Sequence, residues 1–281
     1  MGNTAIVSCT SCDLTPEQAK AAGVRLVPLT VSFGDETFEA VTELSNEEFY
    51  RRLTAPGAPV PRTAAPNPAR FQSAFQEAFD GGAESVVCIT MSAGMSATYS
   101  AAVQAAGEFE PGLVEVIDSR IVTQPQGMIV KHAADLAATG ANQAEVVDRV
   151  QDLVNRARIL FTPETLEYLQ KGGRIGRASA LLGSMLSIKP ILGMEDGTVI
   201  TVDKKRTSAK ARQRLLELIA EQDTEEVAVL HTGVPDLDAY RAQVAEATGR
   251  PVDSLEVGMA GPVSGAHVGP GMVGVSLILT A

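Results

Sequence analysis

Apolar residues fall into short runs divided by turn residues, and those runs alternate with stretches of helical period, so strands and helices take turns along the chain. Ala5-Ile6-Val7 centres a strand over residues 4–8, and Thr15-Pro16-Glu17 opens a helix with proline at its favoured first position. Residues 24–33 alternate as one strand that ends in the turn Gly34-Asp35-Glu36. Ser45-Asn46-Glu47-Glu48 reads as a capping box leading into Phe49-Tyr50-Arg51-Arg52-Leu53. Pro56, Pro59, Pro61, Pro66 and Pro68 make residues 55–68 an extended loop, after which Asn67-Pro68 starts a helix over 69–79.

Ser85-Val86-Val87-Cys88-Ile89-Thr90 is apolar without interruption, the pattern of a strand buried on both faces. A polar turn at 92–96, a small-residue helix at 99–106, a strand at 113–119 and helices near 128–138 and 143–156 follow. This half predicts a parallel sheet covered on both faces, with ligand loops at the carboxyl ends of its strands. Beyond Arg158 the pattern changes to a hairpin arm at 198–202 after Asp196-Gly197 and strands at 227–231 and 273–279. Helices near 207–221 and 237–247 lie between them. The fold class is therefore α/β in two domains, 1–158 with a parallel sheet and 159–281 with a mixed or antiparallel one.

Length agrees with two cores, since 281 residues exceed what one usually serves. No run approaches the roughly 18 apolar residues of a membrane span, and the N-terminus lacks a basic region followed by an apolar one, so a cytoplasmic protein is expected. A net charge of −11 argues against nucleic acid as a partner. Three cysteines build no disulfide framework. Cys9 and Cys12 form a CxxC after the first strand, but a helix does not open directly from it and no second ligand pair completes a metal site. They read as structural or incidental thiols.

Chemistry concentrates in a few segments. Lys171-Gly172-Gly173-Arg174 ends an apolar helix, and Ser187-Ile188-Lys189-Pro190-Ile191-Leu192 runs into a strand. Two glycines can hold the Arg174 guanidinium beside close-packed backbone, a place for an anion and not for bond breaking, although a helix end with a solvated arginine has the same sequence. The loops Arg62-Thr63-Ala64-Ala65-Pro66 and Thr90-Met91-Ser92-Ala93-Gly94-Met95-Ser96-Ala97-Thr98-Tyr99 put hydroxyls after strands or before a helix. Such a turn receives carboxylate or phosphate, and capping by Ser96 or Thr98 explains it as well. Gly265-Ala266-His267-Val268-Gly269-Pro270-Gly271 reads as a glycine-rich loop that brings a histidine close to backbone or ligand, without a phosphate-loop spacing. A hydrolase or acyl-transfer enzyme using His267 and a loop serine is the rival reading. It has no Gly-x-Ser-x-Gly elbow, and nothing orients the Asp118 carboxylate toward His267.

In order and spacing these segments resemble the DegV family of bacterial lipid-binding proteins over essentially the whole chain. The resemblance rests above all on Leu169-Gln170-Lys171-Gly172-Gly173-Arg174-Ile175, Ile188-Lys189-Pro190-Ile191-Leu192 and the closing Gly-x-His-x-Gly-Pro-Gly from Gly265 to Gly271. The chain departs from the family pattern at Cys9, where an aspartate is usual, and at Ala64, Ala93 and Ala97, which replace hydroxyl or glycine positions.

The resemblance implies one long-chain fatty acid in a buried tunnel, its acyl chain in the first domain and its carboxylate near the domain junction. Thr63, Ser92 or Ser96, Arg174 and His267 would hold that carboxylate. No cofactor and no metal are implied, and the protein would not itself be catalytic. It would present the acid to a separate ATP-dependent fatty acid kinase subunit, a role in phospholipid metabolism, with no membrane span but with transient membrane contact allowed. A regulatory binding protein for another amphiphile is a further alternative. Lys204, Lys205 and Arg206, a basic strip in an acidic chain, would dock the kinase. Burying about 14 to 18 methylenes at ~0.8 kcal/mol each gives ~11–14 kcal/mol before ordering costs, so the tunnel supplies affinity and the carboxylate contacts set orientation.

Overall fold

A computed structural model describes residues 2–184 and 188–281. Ser187 of the predicted Ser-Ile-Lys-Pro-Ile-Leu segment lies outside the described residues. Four strands, β1 (Thr4–Cys9), β2 (Val24–Val27), β6 (Ser85–Thr90) and β7 (Val114–Asp118), form an all-parallel sheet in the order β2-β1-β6-β7. Its two central strands, β1 and β6, are mostly buried because both faces of the sheet are covered. Val7, Val86 and Cys88 pack with α3 (Pro68–Asp80) and α4 (Thr98–Ala106), while Ile6, Val87 and Ile89 point to α5 (Gln124–Ala138) and α6 (Gln143–Arg156). Helix starts follow the capping residues. Thr15 and Gln18 complete a capping box on α1 (Pro16–Ala21), and Ser45 caps α2 (Asn46–Leu53). Glu48 of the predicted box on α2 instead pairs with Arg51 and Arg52.

The single strand expected over 24–33 is two. Pro28, which has no backbone N–H, and Leu29 separate β2 from β3 (Thr30–Phe33). The latter leaves the parallel sheet and pairs antiparallel with β4 (Glu36–Glu39) and β5 (Arg62–Ala64). The proline-rich stretch is consequently not all loop, because β5 fits between Pro61 and Pro66.

The second half builds a six-stranded mixed sheet in the order β10-β9-β8-β13-β11-β12. These are β8 (Ala157–Thr162), β9 (Lys189–Glu195), β10 (Thr198–Lys205), β11 (Thr224–His231), β12 (Glu256–Met259) and β13 (Val273–Leu279). β9 and β10 turn at Asp196 and Gly197, both with positive φ (48° and 72°), the backbone an Asp-Gly hairpin turn requires. Val227, Val229, Val275 and Leu277 pack under α8 (Ser208–Ala220) and α9 (Leu237–Thr248). From the other face, Ile159, Phe161, Leu192 and Leu230 join one core with α5 and α6. The two sheets thus share a core along the junction.

Polar contacts fasten the same junction. Arg156, 8% exposed, pairs with Asp152 and Glu225 and donates to the Leu279 carbonyl at 2.6 Å. Asp13 adopts left-handed backbone (φ 58°) and accepts a short hydrogen bond from the Thr123 hydroxyl. Part of Asp13 reaches solvent, but its Oδ1 is buried against Gly261, where a Cβ would come within 2.6 Å. Nearby, Tyr50 donates to the Ala260 carbonyl at 2.8 Å. Burial pushes the Asp13 carboxyl up to about 7, against the hydrogen bond from Thr123.

Because the folded-state value lies above the unfolded one, Asp13 contributes stability that is complete below pH ~4 and is lost as pH rises through about 7. Asparagine tolerates the same backbone. Asp13→Asn should therefore flatten the fall in thermal midpoint between pH ~4 and ~8 that the parent shows, a difference on the order of a few kcal/mol. Parallel pH profiles for the two proteins would remove Asp13 as the origin.

Candidate functional site

An apolar cavity of about 770 Å³, counting its mouth, lies at the junction of the two halves, within the size range of small-molecule sites. The carboxyl end of the parallel sheet and the adjoining loops supply Leu29, Met91, Met95 and Val122. The mixed sheet supplies Ile159, Phe161, Met194, Val199 and Leu230, and the segments beside it Leu169, Val268 and Met272. Residues of both halves therefore line the cavity.

Thr63, Ser96, Arg174 and His267 also line this cavity. Thr63 sits on β5, whose pairing with β3 fixes Thr63 opposite Val31. His267 is not on a loop. It occupies the last turn of α10 (Pro262–Val268), which starts with proline and ends at Gly269 with φ 75°. The glycines that suggested a loop are there for contact. A Cβ at Gly265 would meet Phe49 and Tyr50, one at Gly269 the Tyr168 ring, and one at Gly172 the His267 Nδ1. Glycine lets α10 lie against α2 and α7 (Glu167–Lys171).

His267 Nε2 and Thr63 Oγ1 are 2.8 Å apart, and Nδ1 is buried without a hydrogen-bond partner. Burial, and after it the Arg174 charge, lower the imidazole to about 4, so the ring is neutral at pH 7. We assign the Nε2–H tautomer, which gives Nδ1 no proton to place and makes Nε2 the donor to Thr63. The Thr63 hydroxyl proton is then free to point elsewhere. Arg174 follows the turn at Gly172 and Gly173 and donates from Nε to the Met95 carbonyl at 3.1 Å and from Nη1 to the Gly172 carbonyl at 2.8 Å. No carboxylate among the described residues pairs with it. Ser96 Oγ is 2.8 Å from Thr98 Oγ1 and accepts the Thr98 N–H at 3.2 Å.

Ser92 does not join the cluster. It is fully buried, its hydroxyl donates to the Gly197 carbonyl at 2.7 Å, and it accepts the Gly94 N–H at 3.1 Å. It fixes the tip of the β9–β10 hairpin to the serine loop. The basic strip is also redistributed. Lys204 and Lys205 lie within β10, Asp203 between them and the hairpin takes Lys205 and Arg214, and only Arg206 is past the strand, exposed. Two polar cavity residues escaped the sequence reading, Ser264, one turn before His267, and Thr123, the Asp13 partner. The proline of Gly261-Pro262 was the available signal for the helix that carries Ser264.

No serine hydroxyl among the described residues bonds His267, and Asp118 instead accepts the N–H groups of Ala93 and Arg120. A Ser-His-Asp arrangement is not assembled. Cys9 lies in a buried network with Ser11 and Gln126, and burial pushes the Cys12 thiol up to about 12, the condition of an unreactive thiol. No group of three or more His, Cys, Asp or Glu that could hold a metal occurs among the described residues, and none of their helices is long and apolar enough to cross a membrane.

The cavity does not end at the cluster. An outer cleft of about 1400 Å³, open side included, shares Thr63, Arg174 and His267 with it and adds Arg62, Lys171 and Asp35. The polar groups thus stand between an apolar interior and the surface.

Comparison with known proteins places this geometry. The profile of an uncharacterised-protein family, DegV, matches residues 3–280. A DegV domain-containing protein of Halalkalibacterium halodurans is 35% identical, covering 98% of each chain. Among solved structures, a DegV family protein of Thermus thermophilus described for its fatty acid binding superposes with a TM-score of 0.89 at 31% identity, over 99% of this chain and 100% of that one. A stearic acid-binding protein of Eubacterium ventriosum gives 0.87 at 26% identity, over 99% and 98%.

The electrostatics of the cluster are directly measurable. Nitrogen-15 NMR should find His267 neutral at pH 6 and titrating near 4, and Arg174→Gln should raise that value part of the way, since burial remains. A parent imidazole titrating at its ordinary ~6.5 would refute this account of the site.

Proposed function

The chain belongs to the DegV family, and we propose that it binds one long-chain fatty acid in the junction cavity and presents its carboxylate to a separate ATP-dependent kinase that forms the acyl phosphate. One observation carries the reading. An apolar cavity ends in a cluster of Thr63, Ser96, Arg174 and His267, whose only cation has no carboxylate partner among the described residues. An apolar chain with an anionic end meets both demands, and the solved relatives named above are described as fatty acid binders.

In this reading Arg174 neutralises the carboxylate and neutral His267 orients the Thr63 hydroxyl toward it, with Ser96 adding a donor when it turns from Thr98. The division of labour is one of wall against mouth. Both halves, 1–158 and 159–281, would contribute to the acyl wall and to the head group. The kinase reading draws support from the outer cleft, through which a phosphoryl donor could reach a carboxylate while the acyl chain stays buried. Exposed Arg206, with Lys204 beside it and Lys205 partly held by Asp203, would dock that partner, and the protein would work in the cytoplasm.

Native mass spectrometry should find about one fatty acid per chain. Thr63→Val should weaken its retention by roughly 1–3 kcal/mol without unfolding the protein. Protein that is free of lipid and gains no thermal stability from added fatty acid would refute the reading. Arg206→Ala should leave occupancy unchanged and slow kinase-dependent acyl phosphate formation, with less sensitivity to salt. Equal turnover for parent and variant at every ionic strength would remove Arg206 from the docking surface.

A further inference from the structure

Methionine is unevenly placed in this chain. Of the six described methionines, Met128 and Met259 lie elsewhere, and Met91, Met95, Met194 and Met272 line the junction cavity. They come from opposite sides, Met91 from the end of β6, Met194 from β9 and Met272 from the residue before β13. The same cavity is lined by Val122, Ile159 and Val199, whose branched side chains have few rotamers. The wall thus sets unbranched thioethers among these β-branched residues and Leu29, Leu169, Leu230 and Phe161. A thioether on three rotatable bonds refills irregular space at low cost, and surfaces rich in methionine accept ligands of different shape for that reason.

Resting on the fatty acid reading above, we propose that Met91, Met194 and Met272 determine acyl-chain selectivity by keeping the wall deformable. A straight saturated chain and a cis-unsaturated chain of equal length then bind with comparable affinity. Met95 takes a different part, because its carbonyl holds Arg174 Nε at 3.1 Å and ties it to the head group. Leucine has nearly the volume of methionine but branches at Cγ, so exchange leaves the core filled and makes it less adaptable.

The test is competition between stearate and oleate, supplied in equal amounts to the delipidated full-length protein and read by native mass spectrometry. The parent should take up the two within about threefold of each other. The triple variant Met91→Leu, Met194→Leu, Met272→Leu should shift the ratio against oleate by up to about tenfold, the scale of a leucine–methionine exchange. Should the triple variant fail to fold, Met194→Leu alone carries the same test with a smaller shift. A parent that already discriminates tenfold, or a folded variant that keeps the parent ratio, overturns the proposal. A parent that binds neither acid overturns the fatty acid reading and this inference with it.

Discussion

A guanidinium whose nearest partners are two backbone carbonyls, at one end of an apolar cavity, is the constraint around which the site is arranged. Arg174 is held by Met95 and Gly172, each from a different half of the chain, so its position depends on the junction being closed. Carbonyl dipoles orient a cation without cancelling its charge. That residual charge, added to burial, keeps His267 neutral, and a neutral imidazole can donate to Thr63 without bringing a second cation to the site. Gly172 serves both ends of this arrangement, its carbonyl bound to Arg174 and its bare Cα making room for His267.

Much of this was legible in the sequence where local chemistry decides structure. The parallel sheet followed from the alternation of strands and helices, and the helix starts at Pro16, Asn46, Pro68 and Gln143 from caps or periodicity. The Gly-Gly-Arg turn was legible because its residues are unusual in themselves, and Arg174 after it does line the cavity. What the sequence did not disclose depended on partners distant along the chain. β5 exists because β3 offers it an edge, and β3 leaves the parallel sheet because Pro28 precedes Leu29. Of the glycines that suggested a loop around His267, Gly265 is helical where Phe49 and Tyr50 approach, and Gly269 ends the helix against Tyr168. Ser92 had the right residue type and neighbourhood for a ligand contact, but a hairpin turn more than a hundred residues away takes its hydroxyl.

The junction itself is a composite of weak and strong fastenings. Apolar packing between α5, α6 and the mixed sheet is directionless. Direction comes from polar contacts, among them Arg156 to Glu225 and Leu279, Ser92 to Gly197, and Asp13 to Thr123 beside Gly261. Thr123 pays for its place with a strained backbone (φ 60°, ψ −147°), tolerated because its N–H is bonded to Ser11 and its hydroxyl to Asp13.

β13 is the last strand in chain order, yet it lies in the middle of its sheet, between β8 and β11. During synthesis the parallel sheet can close early, because all four of its strands precede Ser119. The mixed sheet cannot. Until residues 273–279 leave the ribosome, β8 and β11 have no strand to join them, and the second wall of the cavity does not exist. A chain that has not yet added β13 therefore has only one wall of the cavity, and the enclosed space assembles from both halves at once.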